Sequence, residues 1–239
     1  MEEWKQRTEL LLGSDAMTKL ANAHVLVVGL GGVGSYAAEC LVRAGVGKLS
    51  IVDGDDVEIS NKNRQLQALD STIGRNKAEL LAERFRDINA KIEIKVYPQF
   101  LEPEAVRTLL LTKEFDFVMD CIDSIKPKLS FILLARALKL RSISAMGAGG
   151  KLDPSKIKIA DISKTRECKF SQQLKKMLKR KGVKDGVTTV YSEEIQAKHS
   201  LALTDGANYK RSYYGTISYM PAMFGMTMAA YVIRKLINS

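Results

Sequence analysis

The chain has 239 residues, 46% of them hydrophobic and 27% charged, and carries a formal charge of +10. It is long enough to bury a sizeable core, its composition excludes a long disordered tract, and its charge favours an anionic partner such as nucleic acid over an acidic protein-like substrate. Its three cysteines, Cys40, Cys121 and Cys168, form no CxxC pair, so neither a disulfide framework nor a structural zinc site is expected, and a reducing, cytoplasmic setting is.

The opening "MEEWKQRTELLLG" lacks the apolar core of a secretory signal. Residues 5–21 read as one helix with Leu10, Leu11, Met17 and Leu20 as its apolar positions. A strand over 25–28 then enters the turn "GLGGVG", and a helix follows to about Ala44. "KLSIVDGD" is a second strand ending in acids, "NKAELLAERFRDINA" a helix, "KIEIKVYP" a strand and "PEAVRTLLL" a short helix. "FDFVMDCID" reads as a buried strand, "PKLSFILLARALKL" as a helix entered at Pro127, and "RSISAMGAGG" as another strand. Beyond Lys151 come the strand-like "KIKIADI", a basic helix and "VTTVYSEE".

Strands alternating with helices predict an α/β, Rossmann-like, doubly wound and mostly parallel sheet with a C-terminal extension. No Pro/Ser-rich linker interrupts the chain, so residues 1–239 are read as one domain, with a glycine-rich nucleotide part over about 22–150 and a basic extension over about 151–239. The stretch 213–233 has no charged side chain, but its Gly, Thr, Ser and Pro content suits a buried helix better than a membrane span.

Gly29, Gly31, Gly32 and Gly34 satisfy GxGxxG between a strand and a helix, where backbone amides and the helix end receive phosphate. Asp53, at the end of the next strand, is placed to accept hydrogen bonds from ribose hydroxyls. To this point NAD and ATP fit equally. Asn61, Arg64 and Lys77 follow, and a triphosphate losing pyrophosphate needs fixed cations where a dinucleotide does not. Asp123, at the C-terminal end of its strand, is a candidate Mg2+ ligand. Singly, an arginine or lysine after a strand is usually a surface charge, and Asp123 also suits a helix cap. The set at this spacing favours ATP as a consumed substrate.

"GLGGVG", "VDGDDVEISNKNRQ", "GRNKAE" and "DCID" together resemble the ThiF/MoeB/HesA group of the ubiquitin-activating superfamily, over essentially the whole chain. "NKNRQLQAL", "GAGGKLDPSKIKIADISKT", "TVYSEE" and "SYMPAMFGMTMAAYVI" resemble its tRNA threonylcarbamoyladenosine dehydratase branch. The resemblance implies ATP-dependent adenylation of the threonyl carboxylate on a tRNA adenosine, followed by ring closure with net loss of water. It implies that Ser60, Asn61 and Arg64 line the triphosphate, that Lys77 meets the phosphates, and that Asp123 organises Mg2+ with Ser124 beside it. It also implies a homodimer in which Arg7 reaches the partner's ATP site, although Trp4 stands where relatives often carry a second arginine.

Lys164 to Gly186 holds nine lysines and arginines. Read alone it is as well explained by a solvated helical face. Beside the resemblance it becomes a tRNA-binding surface, with Lys169, Lys175, Lys176, Lys179 and Arg180 as its members. A persulfide role for Cys168 and docking of a sulfur-relay protein stay open at this level. The alternative enzyme is an adenylyltransferase acting on a ubiquitin-like sulfur carrier, whose relatives commonly carry two CxxC zinc pairs that are missing here. An NAD-dependent dehydrogenase or nucleotide-binding regulator is the remoter alternative.

Overall fold

His24–Val28 (β1) lies inside a seven-stranded sheet, and its alternating side chains fill two separate cores. Val25 and Val27 enter one and Leu26 and Val28 the other, all buried. A strand covered on both faces needs an unbroken apolar run, which is what "HVLVV" supplies. The computed structural model describes residues 2–100, 103–112, 114–203 and 212–238.

The other strands of this sheet are Lys48–Val52 (β2), Glu93–Tyr97 (β3), Phe117–Asp120 (β4), Ser142–Ala145 (β5), Ile157–Asp161 (β6) and Thr188–Ser192 (β7). Their order is β3-β2-β1-β4-β5-β7-β6. Every neighbouring pair is parallel except β6, which runs antiparallel to β7 at the edge. Strands from the C-terminal part of the chain thus extend the same sheet. Leu201–Leu203 (β8) and Ser212–Tyr214 (β9) pair as a separate antiparallel ribbon.

The helices are Gln6–Leu12 (α1), Ser14–Asn22 (α2), Gly34–Ala44 (α3), Lys77–Ile88 (α4), Pro103–Leu111 (α5), Ile125–Ala137 (α6), Lys169–Arg180 (α7) and Tyr219–Ile237 (α8). One face of the sheet is covered by α2, α3, α4 and α8, through Leu20, Leu41, Phe85, Phe224 and Met228. The other carries α5 and α6, through Val106, Leu110, Phe131 and Ala135. A third cluster joins α6 to α7 through Leu129, Ile132, Leu174 and Leu178. Each fully buried large side chain contributes about 1.5–3 kcal/mol.

Three local features differ from the sequence reading. The single N-terminal helix is two, because Gly13 at φ +83° takes a conformation that continues no helix. Met17 and Leu20 on α2 are buried, whereas Leu10 and Leu11 on α1 are 84% and 82% exposed. The helix expected from Pro127 begins at Ile125, with the proline in its first turn, where a missing N–H has no helical acceptor to lose. The uncharged stretch after Tyr213 becomes helical only at Tyr219, and Met220, Phe224, Met228 and Val232 are buried on one stripe of α8. Among the described residues no helix is long and apolar enough to cross a membrane.

Candidate active site

The sheet reverses its direction of winding between β1 and β4, and in such sheets ligands bind at the C-terminal ends of the two strands flanking that point. Here those ends carry the glycine turn and the Asp123 segment. Gly29 N donates to Val52 O (2.9 Å), and its φ of +87° turns the chain off the strand. A Cβ on Gly29 would stand 2.9 Å from Cys121 O, and one on Gly34 would overlap the Gly29 carbonyl oxygen, so the turn folds tightly against the start of α3. Gly32 lies beneath Pro221 of α8 and the Arg64 carbonyl, whereas the nearest atom to a Cβ on Gly31 would be Gln65 Nε2 at 3.8 Å. The Gly31 side of the turn is therefore the least crowded approach for a phosphate to the start of α3.

Asp53 closes the turn. Its Oδ2 accepts from Leu30 N (2.6 Å) and its Oδ1 from Asp55 N (2.9 Å). A carboxylate has further lone pairs, so these bonds leave room for a ribose hydroxyl. Burial pushes the Asp53 carboxyl up, against the charge of Lys77 and the two N–H groups, which hold it down. Lys77 is the first residue of α4, whose N-terminus Asn76 caps by accepting from Ala78 N (2.9 Å) and Glu79 N (3.3 Å). Only 4% of Lys77 is exposed, and its Nζ meets Asp55 Oδ2 at 3.0 Å. Asp55 was not singled out in the sequence, although it stands two residues beyond Asp53.

Asn61 and Arg64 sit in the connection between β2 and α4. Asn61 is buried: its Oδ1 accepts from Glu58 N (3.3 Å), and its Nδ2 donates to Ser60 Oγ (3.2 Å). Ser60 is exposed and donates to Glu58 Oε2 (3.1 Å). Arg64 Nη1 donates to Ser60 O (2.9 Å) and Asn63 Oδ1 (2.8 Å), and among the described residues no carboxylate pairs with it. Its guanidinium is thus not committed to a carboxylate of the described residues and can meet an anion. Gln65 and Gln67, passed over in the sequence although Gln65 adjoins Arg64, are both buried with Oε1 atoms that accept no hydrogen bond. Gln67 Nε2 donates to Leu30 O (2.7 Å), fastening this connection to the glycine turn.

Asp123 lies three residues past the end of β4, exposed, with Ser124 Oγ 3.4 Å from its Oδ1. Ser124 itself is the N-cap residue of α6. Behind them Asp120 and Lys128 form a fully enclosed ion pair at 2.7 Å, invisible to the sequence reading. Burial pushes the Asp120 carboxyl up, and the Lys128 ammonium, the Ser144 hydroxyl and Ile122 N–H oppose it. Burial also pushes the Cys121 thiol up to about 12, so it supplies no thiolate. Among the described residues no group of three or more His, Cys, Asp or Glu side chains converges as a metal cage. An exposed carboxylate past the strand end that flanks the glycine turn could share Mg2+ with phosphate oxygens and water, as one or two carboxylates do in Mg2+ sites.

The other candidate residues lie outside this cluster. Arg7 is exposed on α1 beside Leu10 and Leu11. Of the basic set, Lys169, Lys176, Lys179 and Arg180 are exposed on α7. Lys175 is half-buried and donates to Thr165 O (2.9 Å), so it secures the helix rather than facing outward. Cys168 precedes α7 and is fully buried, which removes it from any sulfur-transfer surface.

The ThiF family matches residues 5–239. A tRNA threonylcarbamoyladenosine dehydratase of Escherichia coli is 35% identical over 256 residues, spanning 98% of this chain and 95% of its own. One from Bacillus subtilis is 35% identical over 239 residues, spanning 97% and 94%. The crystal structure of the E. coli dehydratase in complex with ATP is similar to this fold with a TM-score of 0.87 at 34% identity, covering 100% of this chain and 96% of that one.

Proposed function

The chain belongs to the ThiF family, and from that premise we propose that it is an ATP-dependent tRNA threonylcarbamoyladenosine dehydratase. The observation that carries the reading is the end-to-end match to dehydratases, one of them solved with ATP, by a chain whose switch point gathers a glycine turn, Asp53, Arg64, Lys77 and Asp123. A sulfur-carrier adenylyltransferase would use the same ATP end. Its reading gains no support from the C-terminal third, where the basic α7 and the dehydratase-like segments lie.

A free carboxylate is a poor electrophile because its leaving group would be oxide. Attack of the threonyl carboxylate oxygen on the ATP α-phosphorus forms an acyl-adenylate and releases pyrophosphate. In this reading Arg64 and Lys77 counter the charge that builds on the phosphates, since fixed cations in a partly buried site need no reorganisation as that charge grows. The turn amides and Asp53 orient the nucleotide. Asp123 would hold Mg2+, which when bound offsets the charge of the phosphates. In the second step the ureido oxygen attacks the activated carbonyl, the ureido nitrogen gives up its proton, and AMP leaves. Because this closure is intramolecular, positioning replaces a protein nucleophile, in keeping with the burial of Cys168 and the raised pKa of the half-buried Cys121.

Two further parts belong to the reading. The exposed leucines of α1 are an apolar surface next to Arg7, which suits burial against a second copy with Arg7 reaching its ATP site. The exposed cations of α7 suit the tRNA backbone, and the enzyme is placed in the cytoplasm with that substrate. The test is mass analysis of nucleosides from threonylcarbamoylated tRNA incubated with the protein and Mg-ATP, using mild digestion. A nucleoside lighter by one water, with AMP formed and both lost in Asp123→Ala, is expected. Carboxylate-dependent pyrophosphate exchange with a carrier protein and no new nucleoside would replace the reading with the sulfur-carrier one.

A further inference from the structure

The end of β5 forms a shelf that the adenylation chemistry above does not use. In the β4–β5 register Asp120 lies beside Ser144, so three residues further on the two chains reach Asp123 and Gly147. Residues 147, 149 and 150 are glycines, so past the C-terminal end of β5 no side chain of their own stands between this backbone and the segments packed on it. The walls are specific. A Cβ on Gly147 would lie 3.3 Å from Phe170 Cβ and 3.9 Å from Gln196 Nε2. The ring of Tyr214 lies against Gly150, with Cδ1 3.0 Å from where a Cβ would be.

Gln196 is only 7% exposed. Its Nε2 donates to Gly149 O (3.2 Å), while its Oε1 is buried and accepts nothing. An orphaned buried acceptor of this kind is destabilising unless something donates to it. The shelf is also connected at both ends. Asn63 Nδ2 donates to Thr216 O (2.9 Å), tying the Arg64 connection to the segment after β9, and Lys169 Nζ lies 3.3 Å from Tyr214 OH, tying the shelf to basic α7.

We propose that this shelf, walled by Phe170, Gln196 and Tyr214, is the acceptor subsite: it receives a purine nucleoside turned out of its RNA, with Gln196 Oε1 accepting an N–H of the urea-type side chain on the base. The inference rests on the dehydratase reading and adds where its substrate sits. A nucleotide extruded into a pocket is read by stacking on aromatic rings and by hydrogen bonds to its edge, and this shelf offers both. The carboxylate of the side chain then extends across the C-terminal ends of β5 and β4 towards Asp123 and the ATP phosphates, while Lys169 lies on the side of the RNA backbone.

The experiment compares wild type with Gln196→Met, which keeps the side-chain length but removes the acceptor, and with Tyr214→Ala. Affinity is measured for threonylcarbamoylated tRNA and for an unmodified transcript of the same tRNA, alongside KM for ATP. Gln196→Met is expected to weaken binding of the modified tRNA by about five- to tenfold and to leave the unmodified transcript and the ATP KM unchanged. Tyr214→Ala is expected to show the same selectivity. Equal losses for both tRNAs, or none for either, in both variants would overturn the subsite while wild-type cyclisation still upheld the function. A wild type that produced no cyclic nucleoside would bring down the two together.

Discussion

Lys128 Nζ stands 2.7 Å from Asp120 Oδ2 with both side chains fully enclosed, one on the first turns of α6 and the other at the end of β4. The pair spans the turn that carries Asp123 and Ser124, and Asp120 Oδ1 also accepts from Ile122 N (3.0 Å) inside that turn. Lys128→Met leaves a buried carboxylate without its cation and is expected to cost about 3–5 kcal/mol in urea unfolding. Lys128→Met with Asp120→Leu removes both charges and is expected to recover most of that stability. Cyclisation activity is expected to stay low in both variants, because the turn aiming Asp123 has lost its brace. Full activity in the double variant would show that the pair serves only the fold.

Arg64 and Lys77 separate activity from stability. Arg64 pairs with no carboxylate among the described residues, so Arg64→Met is expected to lower kcat/KM for ATP by about ten- to a hundredfold with an unchanged melting temperature. Lys77→Met is expected to match that catalytic loss. It also strips the partner from Asp55, whose side chain is 42% exposed, so its cost in stability is kept to about 1 kcal/mol. Pyrophosphate release and thermal melting on the same samples check both.

Two positions of the glycine turn behave differently. A methyl on Gly34 overlaps the Gly29 carbonyl, so Gly34→Ala is expected to lose both folding and ATP binding. The nearest atom to a methyl on Gly31 is Gln65 Nε2 at 3.8 Å. Gly31→Ala is therefore expected to melt like wild type, while its methyl occupies the phosphate approach and raises KM for ATP by about tenfold. An unchanged KM would move the phosphates elsewhere on the turn.

What the sequence made legible was local. A glycine turn, the acid ending the next strand and the Asn-Arg-Lys spacing are set by a few adjacent residues, and the strand–helix alternation gave the doubly wound sheet. What it hid depends on contacts across the fold. Asp120 and Lys128 are eight residues apart, and only the turn from β4 into α6 brings them together. Lys175 reads like its basic neighbours until the packing of Leu174 and Leu178 fixes the phase of α7 and turns its ammonium back to Thr165. Gln196 carries no motif at all, and its burial with an orphaned oxygen follows from packing against the glycines after β5, some 47 residues away in the chain.

His24 predicts a pH dependence remote from the active site. Its ring packs on Phe115 at 4.8 Å and its Nε2 lies 2.9 Å from Ser50 Oγ. Burial, with Lys95 adding to it, holds the imidazole below its ordinary 6.5 in the folded chain, against the smaller pull of Glu114 and Asp116. The unfolded chain therefore takes up the proton first as the pH drops. The stabilisation is complete above about pH 6.5 and is lost as the pH falls through the folded value. Melting temperatures are expected to decline between about pH 7 and pH 5, and less steeply in His24→Gln.

The basic face of α7 predicts a salt-dependent affinity for tRNA. Lys169, Lys176 and Arg180 recur at seven- and four-residue spacing, which places them on one side of a helix, and Lys179 adjoins Lys176 across one turn. All four are exposed. Cations held in a row along a rigid helix suit a polyanion's spaced charges, and each phosphate neutralised releases counterions. Reversing Lys176, Lys179 and Arg180 to glutamate is therefore expected to weaken tRNA binding and to reduce its salt slope by about 0.7–0.9 for each phosphate that the helix no longer neutralises. Lys175→Met is the internal contrast: its ammonium is committed to the Thr165 carbonyl, so it is expected to lower the melting temperature and leave the salt slope alone. If the triple reversal left both affinity and slope unchanged, α7 would be a solvated face and the tRNA would have to bind elsewhere.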